Sequence, residues 1–155
     1  KGLDKTGVTF FKMDEGVDTG LILGQEEVPI KKTETAFTLY NKINIAHEIL
    51  IKKIIVKLKN DAITPIPQDE NQASYWEGRK PKDGEIKKSM SLEEVDRLVR
   101  ATTKPYPGAF LIFQNQKVII WEGFKSKIKN KNKGFFEISL SDGYFYATRY
   151  EVIDI

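Results

Sequence analysis

Apolar and polar positions change their spacing several times along this 155-residue chain. A β-rich run at residues 7–13 and an extended run at residues 21–30 flank an acidic turn that contains glycine. Apolar residues then recur every three or four positions, which predicts a long helix from Thr33 or Thr35 to about Asn60. The residues expected on the buried face of this helix are Tyr40, Ile43, His47, Leu50 and Ile54.

Two strands and one long helix make an incomplete layer. Such a pair of strands leaves one sheet face and at least one edge uncovered. The pattern therefore predicts half of an α/β layer, and we expect the other half to lie upstream of this segment.

The second half of the chain has a different pattern. Two prolines and a polar run interrupt the periodicity at residues 61–73, and we expect the domain boundary there. Ser91 and Glu94 form a capping box for a helix that must end before Pro105. Beyond Gly108 the spacing becomes two, which predicts antiparallel hairpins and a small barrel. The predicted strands are residues 109–114, 117–122, 135–140 and 144–150.

Composition excludes several classes of protein. The net charge is only +3, from 25 basic and 22 acidic residues, so nucleic acid is a permitted partner and not a required one. The chain has no cysteine and one histidine, which excludes disulfides and leaves no ligand spacing for a metal site. No apolar run approaches the ~20 residues of a membrane helix. We expect a cytoplasmic protein with no membrane partner.

The acidic turn, "MDEGVDTG", carries the candidate chemistry. A turn of this composition is ordinary between two strands, because glycine supplies backbone freedom and carboxylates stay solvated. The order of its residues indicates more. "GVTFFKMDEGVDTGLIL", "ASYWEGRKPKDGEI" and "LVRATTKPYPGAF" with "KVIIW" follow one another from Gly7 to about Trp121. In that order they resemble the folate-dependent formyltransferases that modify methionyl-tRNA or amino sugars.

This resemblance implies a fold and an activity. The expected fold is the C-terminal half of a Rossmann-like formyltransferase domain at residues 1–66, followed by a linker and a small OB-like β-barrel domain at residues 67–155. The expected activity is transfer of a formyl group from 10-formyltetrahydrofolate to a primary amine, on methionyl-tRNA or on a nucleotide-linked amino sugar.

The resemblance also implies the roles of the turn residues. Asp18 matches the family's catalytic aspartate, which orients a histidine and helps to remove protons from the attacking amine. Met13, Asp14, Glu15, Gly16 and Val17 correspond to the loop that wraps the pterin, largely through main-chain groups.

Some features depart from the family pattern. The family's asparagine and histidine lie upstream of the matching segment, and no equivalent motif occurs here. His47 follows Asp18 and lies on the expected buried face of the helix, so we interpret it as a packing residue. Many relatives carry a second aspartate where this chain has Leu21. We therefore expect this segment alone to be inactive.

Other polar features leave alternatives open. Lys125–Lys133 carries five lysines and is either a phosphate-binding loop or, as we favour, a solvated one. Tyr75 and Trp76 could stack on a base, but anchoring of the linker is the favoured role. Arg100 is interpreted as structural. An alternative function is a non-catalytic module, derived from a formyltransferase, that binds RNA or a partner protein.

Overall fold

The computed structural model describes residues 1–131 and 134–155. Within them the chain forms two compact units, one built mainly from the first half and one from the second. The first unit comprises Leu3–Lys32 and Thr38–Glu77, and the second comprises Lys1–Gly2, Thr33–Phe37 and Gly78–Ile155.

A hairpin and a long helix make up the first unit. Strands β1 (Lys5–Phe11) and β2 (Ile22–Pro29) pair in antiparallel fashion over their whole length. Helix α1 (Ala36–Lys59) begins directly after Thr35. The predicted order of strand, acidic turn, strand and long helix is confirmed.

One face of α1 packs on the hairpin. Ala46, Leu50 and Ile54 are buried against Val8 of β1 and Val28 of β2. The small side chain of Ala46 lets the helix axis approach the strands, so the buried stripe is centred there and not at position 47.

Two predictions for the buried face of α1 are wrong. Tyr40 is 43% exposed, and His47 is also exposed, with its ring edge-on to Phe10 at 6.4 Å between centroids. Successive helix positions differ by ~100°, so Tyr40 and His47 lie outside the buried stripe that contains their neighbours Leu39 and Ala46. The predictions for Ile43, Leu50 and Ile54 are confirmed. Leu39 and Ile43 complete the observed stripe.

The rest of the α1 surface is also rich in apolar residues. Their side chains are 40–61% exposed, and they lie on faces that the hairpin does not cover. A helix that is hydrophobic all round is typical of a buried position in a larger layer. The exposed residues are Phe37, Ile45, Ile49, Ile51, Ile55, Val56 and Leu58.

The second unit consists of a sheet and one helix. Helix α2 (Leu92–Thr102) starts with the predicted capping box, in which the Ser91 hydroxyl accepts from the Glu94 amide and the Glu94 carboxylate accepts from the Ser91 amide. Two short 3₁₀ turns precede it, Glu70–Gln72 in the first unit and Pro81–Gly84 in the second. The strands are β3 (Ala109–Phe113), β4 (Gln116–Ser126), β5 (Phe136–Leu140) and β6 (Gly143–Asp154).

These strands pair in the order β3-β4-β6-β5, and every pair is antiparallel. Irregular pairing between Ile120 and Gly123 adds twist to β4, and the sheet curls into a half-barrel. The predicted hairpins are confirmed. One face is covered by α2, whose Val95 and Val99 are fully buried against residues such as Phe145.

Among the residues that the structure describes, neither helix combines the length and the hydropathy that a membrane span requires.

Candidate functional site

The acidic turn connects β1 to β2 and is closed at its base by main-chain bonds. The Lys12 amide donates to the Leu21 carbonyl at 2.9 Å. Ile22 exchanges two main-chain hydrogen bonds with Ile66, at 2.8 and 2.9 Å, so a later segment joins the edge of β2 beside the turn. The turn therefore projects from a fixed base.

Asp14 organises the interior of the turn. Its Oδ1 accepts from the Gly16 amide at 3.0 Å and from the Thr19 hydroxyl at 2.7 Å. A Cβ at Gly16 would lie 2.1 Å from Thr19 Oγ1, so a side chain there would displace the hydroxyl that donates to Asp14. The Asp14 carboxylate thus stabilises the loop in which it lies.

Asp18 presents an available carboxylate on this turn. Its φ of 59° places it in the left-handed region, which aspartate tolerates better than most residues. Asp18 is exposed, and no described residue forms a hydrogen bond or ion pair with its side chain. The carboxylate can therefore accept a hydrogen bond or a proton from a bound molecule.

The backbone around Asp18 is held by two residues that sequence reasoning missed. Gly20 is buried, and a Cβ there would coincide with the Lys12 carbonyl oxygen. Gln68 donates from Nε2 to the carbonyl oxygens of Asp18 and Gly20, at 2.7 and 2.8 Å. The sequence offers no signal for Gln68, which stands in an aperiodic polar run. Gly20 could have been found from its place directly after Asp18-Thr19.

The remaining predicted loop residues present their side chains to solvent. Met13 is 84% exposed and Val17 is 88% exposed, while Glu15 is exposed between them. Two apolar side chains and a carboxylate thus lie open on the same short loop as Asp18. His47 lies apart from it in the chain, on the α1 surface beside Phe10.

No group of three or more potential metal-ligating side chains occurs within the part of the chain that the structure describes.

The lysine-rich loop after β4 is extensively ion-paired. Its Lys133 lies outside the described residues, and so does the neighbouring Asn132. Three of its other lysines each contact a carboxylate, and the hydrogen bond to Glu137 raises the pKa of Lys129. The pairs are Lys125 with Glu93, Lys127 with Asp142 at 3.4 Å, and Lys129 with Glu137 at 3.2 Å.

The structure also places the three other residues singled out in the sequence, Arg100, Tyr75 and Trp76. Arg100 donates to the Asp96 carboxylate at 3.0 Å and to the Glu34 carbonyl at 2.8 Å, which agrees with a structural role. Tyr75 and Trp76 are 88% and 62% exposed. Neither aromatic ring is therefore sequestered in a core.

Comparison with protein families matches both halves of the chain. The formyl transferase model matches residues 1–55, and the formyl transferase C-terminal domain model matches residues 79–153. The two matches occur in the expected order and together span most of the sequence. The chain belongs to the formyltransferase family.

Solved structures agree in fold. Methionyl-tRNA formyltransferase from Clostridium thermocellum is 22% identical with a TM-score of 0.69, over 99% of this chain and 59% of that one. An N-formyltransferase from Helicobacter canadensis is 22% identical with a TM-score of 0.67, over 96% of this chain and 56% of that one. A 4-N formyltransferase from Francisella tularensis is 28% identical with a TM-score of 0.59, over 68% of this chain and 45% of that one.

This chain therefore corresponds to only 45–59% of the length of these three enzymes.

Proposed function

We propose that this chain is the part of an N-formyltransferase that carries the catalytic aspartate, Asp18, and the loop that wraps the folate. The enzyme would transfer a formyl group from 10-formyltetrahydrofolate to a primary amine. The observation that carries the proposal is an exposed Asp18 carboxylate, without a partner among the described residues, on a turn whose base is fixed by main-chain bonds. Membership of the formyltransferase family supports the reaction class.

The loop at Met13–Val17 is suited to a folate. The exposed side chains of Met13 and Val17 can cover the flat face of a heterocycle. The Helicobacter canadensis neighbour was solved with folinic acid and dTDP-3-aminofucose, which supports a folate as donor. When bound, the donor would supply the formyl carbon as the electrophile.

The Asp18 carboxylate would handle protons. An amine that bonds to the formyl carbon must lose a proton, and a carboxylate with free lone pairs can accept it or hold a histidine that does so. The bond between the formyl carbon and N10 of the folate would break in exchange, and N10 would take up a proton as tetrahydrofolate leaves. The asparagine and histidine that complete the family's site would come from a segment upstream of this one. This chain has a single histidine, and it lies on α1.

The exposed apolar surface of α1 supports the proposal that this chain holds only part of the catalytic domain. Residues 1–66 would form the C-terminal half of a Rossmann-like catalytic domain, and residues 67–155 would form the linker and an OB-like domain. Exposed apolar side chains on α1, including Ile45, Ile49 and Val56, would be covered by the remaining sheet and helices of that domain.

The acceptor would carry its amine on methionyl-tRNA or on a nucleotide-linked amino sugar. The described ion pairs of the lysine-rich loop favour the sugar, because Lys125, Lys127 and Lys129 already neutralise carboxylates of this chain. Binding of tRNA phosphates would require those pairs to be exchanged.

Substitution of Asp18 tests the proposal. In the intact protein that contains this segment, Asp18→Asn should lower kcat/KM for formyl transfer by about 10²- to 10⁴-fold. The melting temperature should stay the same, because the carboxylate has no partner to lose in the part of the chain that the structure describes. A matched control is Asp61→Asn, since Asp61 is also exposed with a left-handed φ of 48° but lies in the turn after α1. Retention of full activity by Asp18→Asn would overturn the proposal.

A further inference from the structure

We infer that Gln68 is a positioning residue that holds the main chain of Asp18 in its left-handed conformation. The inference rests on the proposed function, because it explains how the Asp18 carboxylate is presented. Gln68 lies 50 residues after Asp18, within the segment that leads out of the first unit.

The side-chain amide of Gln68 binds two carbonyl groups of the turn at once. Both hydrogens of the Gln68 amide are used, one toward the Asp18 carbonyl at 2.7 Å and one toward the Gly20 carbonyl at 2.8 Å. These two oxygens flank Thr19. One half-buried side chain therefore fixes the orientation of the two peptide groups that follow Asp18 and Gly20.

Gln68 is itself held from both sides. Two residues earlier, Ile66 is paired with Ile22 through main-chain bonds of 2.8 and 2.9 Å. One residue later, Asp69 caps the short turn at Glu70–Gln72 by accepting from the Asn71 amide at 3.0 Å. Pro67 further limits the backbone between these anchors. The Gln68 side chain is thus attached to a backbone that cannot easily follow the acidic turn if the turn moves.

The contact matters because the conformation of Asp18 is disfavoured in isolation. Residues other than glycine avoid the left-handed region, and such a conformation persists only where the surroundings impose it. Removal of the two donors would let the Asp18 backbone relax toward right-handed or extended values. The carboxylate would then point elsewhere, although no atom of the catalytic side chain had been changed.

Gln68→Met is the most direct variant, because methionine keeps the length of the side chain but donates no hydrogen bond. In the intact protein we expect kcat to fall by about 10- to 100-fold while the KM for 10-formyltetrahydrofolate changes little. Gln68→Glu is a second variant that also removes the donors and sets a negative charge against two carbonyl oxygens. The matched control is Gln116→Met, because the half-buried Gln116 side chain donates to Asp154 within the second unit.

A double variant separates positioning from a merely structural role. If Gln68 acts through Asp18, adding Gln68→Met to Asp18→Asn should lower kcat further by no more than about twofold. A role in general stability would instead give additive losses and a matching drop in melting temperature. Additive losses, or full kcat in both Gln68 variants, would overturn the inference.

The same set of variants separates this inference from the function on which it rests. An inactive Asp18→Asn with fully active Gln68 variants would overturn the inference alone. A fully active Asp18→Asn would overturn the proposed function, and the role of Gln68 with it.

Discussion

At the scale of single residues, two aspartates of the acidic turn have different surroundings. Asp14 is used inside the turn, where it accepts from Gly16 and Thr19, while Asp18 is left open to solvent. The same chemical group thus stabilises the turn at position 14, and at position 18 it is available for the catalytic role that we propose.

Sequence reasoning could single out Asp18 from the order of residues in the turn, but it could not find Gln68. The contact between Gln68 and Asp18 joins positions 50 residues apart, and periodicity carries no information at that range. Gln68 also stands in a polar run in which each residue is compatible with an exposed linker. Only the three-dimensional path of the chain past β2 reveals its role.

Gly20 gives a prediction at the same scale. Gly20→Ala would force a methyl group onto the Lys12 carbonyl oxygen and disturb the bond between Lys12 and Leu21 that closes the turn. We expect the variant to lose about 1–3 kcal/mol of unfolding free energy, measured by urea denaturation, and to lose activity as the Asp18 turn shifts. Gly78→Ala is the control, because a Cβ at Gly78 meets no atom within 4 Å. Equal stability of the two variants would contradict this account.

At the scale of elements, hairpins and helix ends were predictable, whereas the orientation of α1 was not. The capping box at Ser91 and the period of two beyond Gly108 report local structure, which the sequence encodes directly. The buried face of α1 depends on what packs against it. Helix α1 carries apolar residues on several faces. Tyr40 and His47 therefore fitted the spacing as well as Leu39 and Ala46, which the hairpin contacts.

The turn between β5 and β6 also proves to have a role beyond reversing the chain. Asp142 Oδ1 accepts from the Leu92 amide at 2.8 Å, which satisfies one of the free donors at the start of α2. This bond lowers the pKa of the Asp142 carboxyl, with a smaller contribution from Lys127. The hairpin tip is therefore tied to the helix that covers the sheet.

The hydrogen bond between the Leu92 amide and Asp142 predicts that the effect of substituting Asp142 on the melting temperature depends on pH. A lowered pKa in the folded state means that Asp142 stabilises the fold above its unfolded pKa of about 3.9, and that this stabilisation is lost as the pH falls through the folded value. Asp142→Asn should therefore lower the melting temperature at pH 7, and the difference from the unchanged protein should shrink below about pH 4. Thermal unfolding of both proteins at pH 7 and below about pH 4 measures this difference in melting temperature. Asp61→Asn serves as a control for general charge effects, and an unchanged difference at both pH values would contradict the assignment.

At the scale of the whole molecule, the two units and the family assignment lead to the same conclusion. The first unit carries a fixed turn with an open carboxylate and a helix whose apolar surface extends beyond the hairpin that it covers. The second unit is a curled antiparallel sheet with its own buried core. An available carboxylate in the first unit and a second unit with its own core are what the proposed formyltransferase requires.

The central claim is tested most directly by following tetrahydrofolate release from 10-formyltetrahydrofolate by the intact protein. A dTDP-linked amino sugar and methionyl-tRNA would be supplied in separate reactions, each with an acceptor-free control. We predict release that depends on one acceptor and places the formyl group on its amine, and the ion-paired lysine loop favours the sugar. A folded protein that consumes no 10-formyltetrahydrofolate with either acceptor would contradict the account.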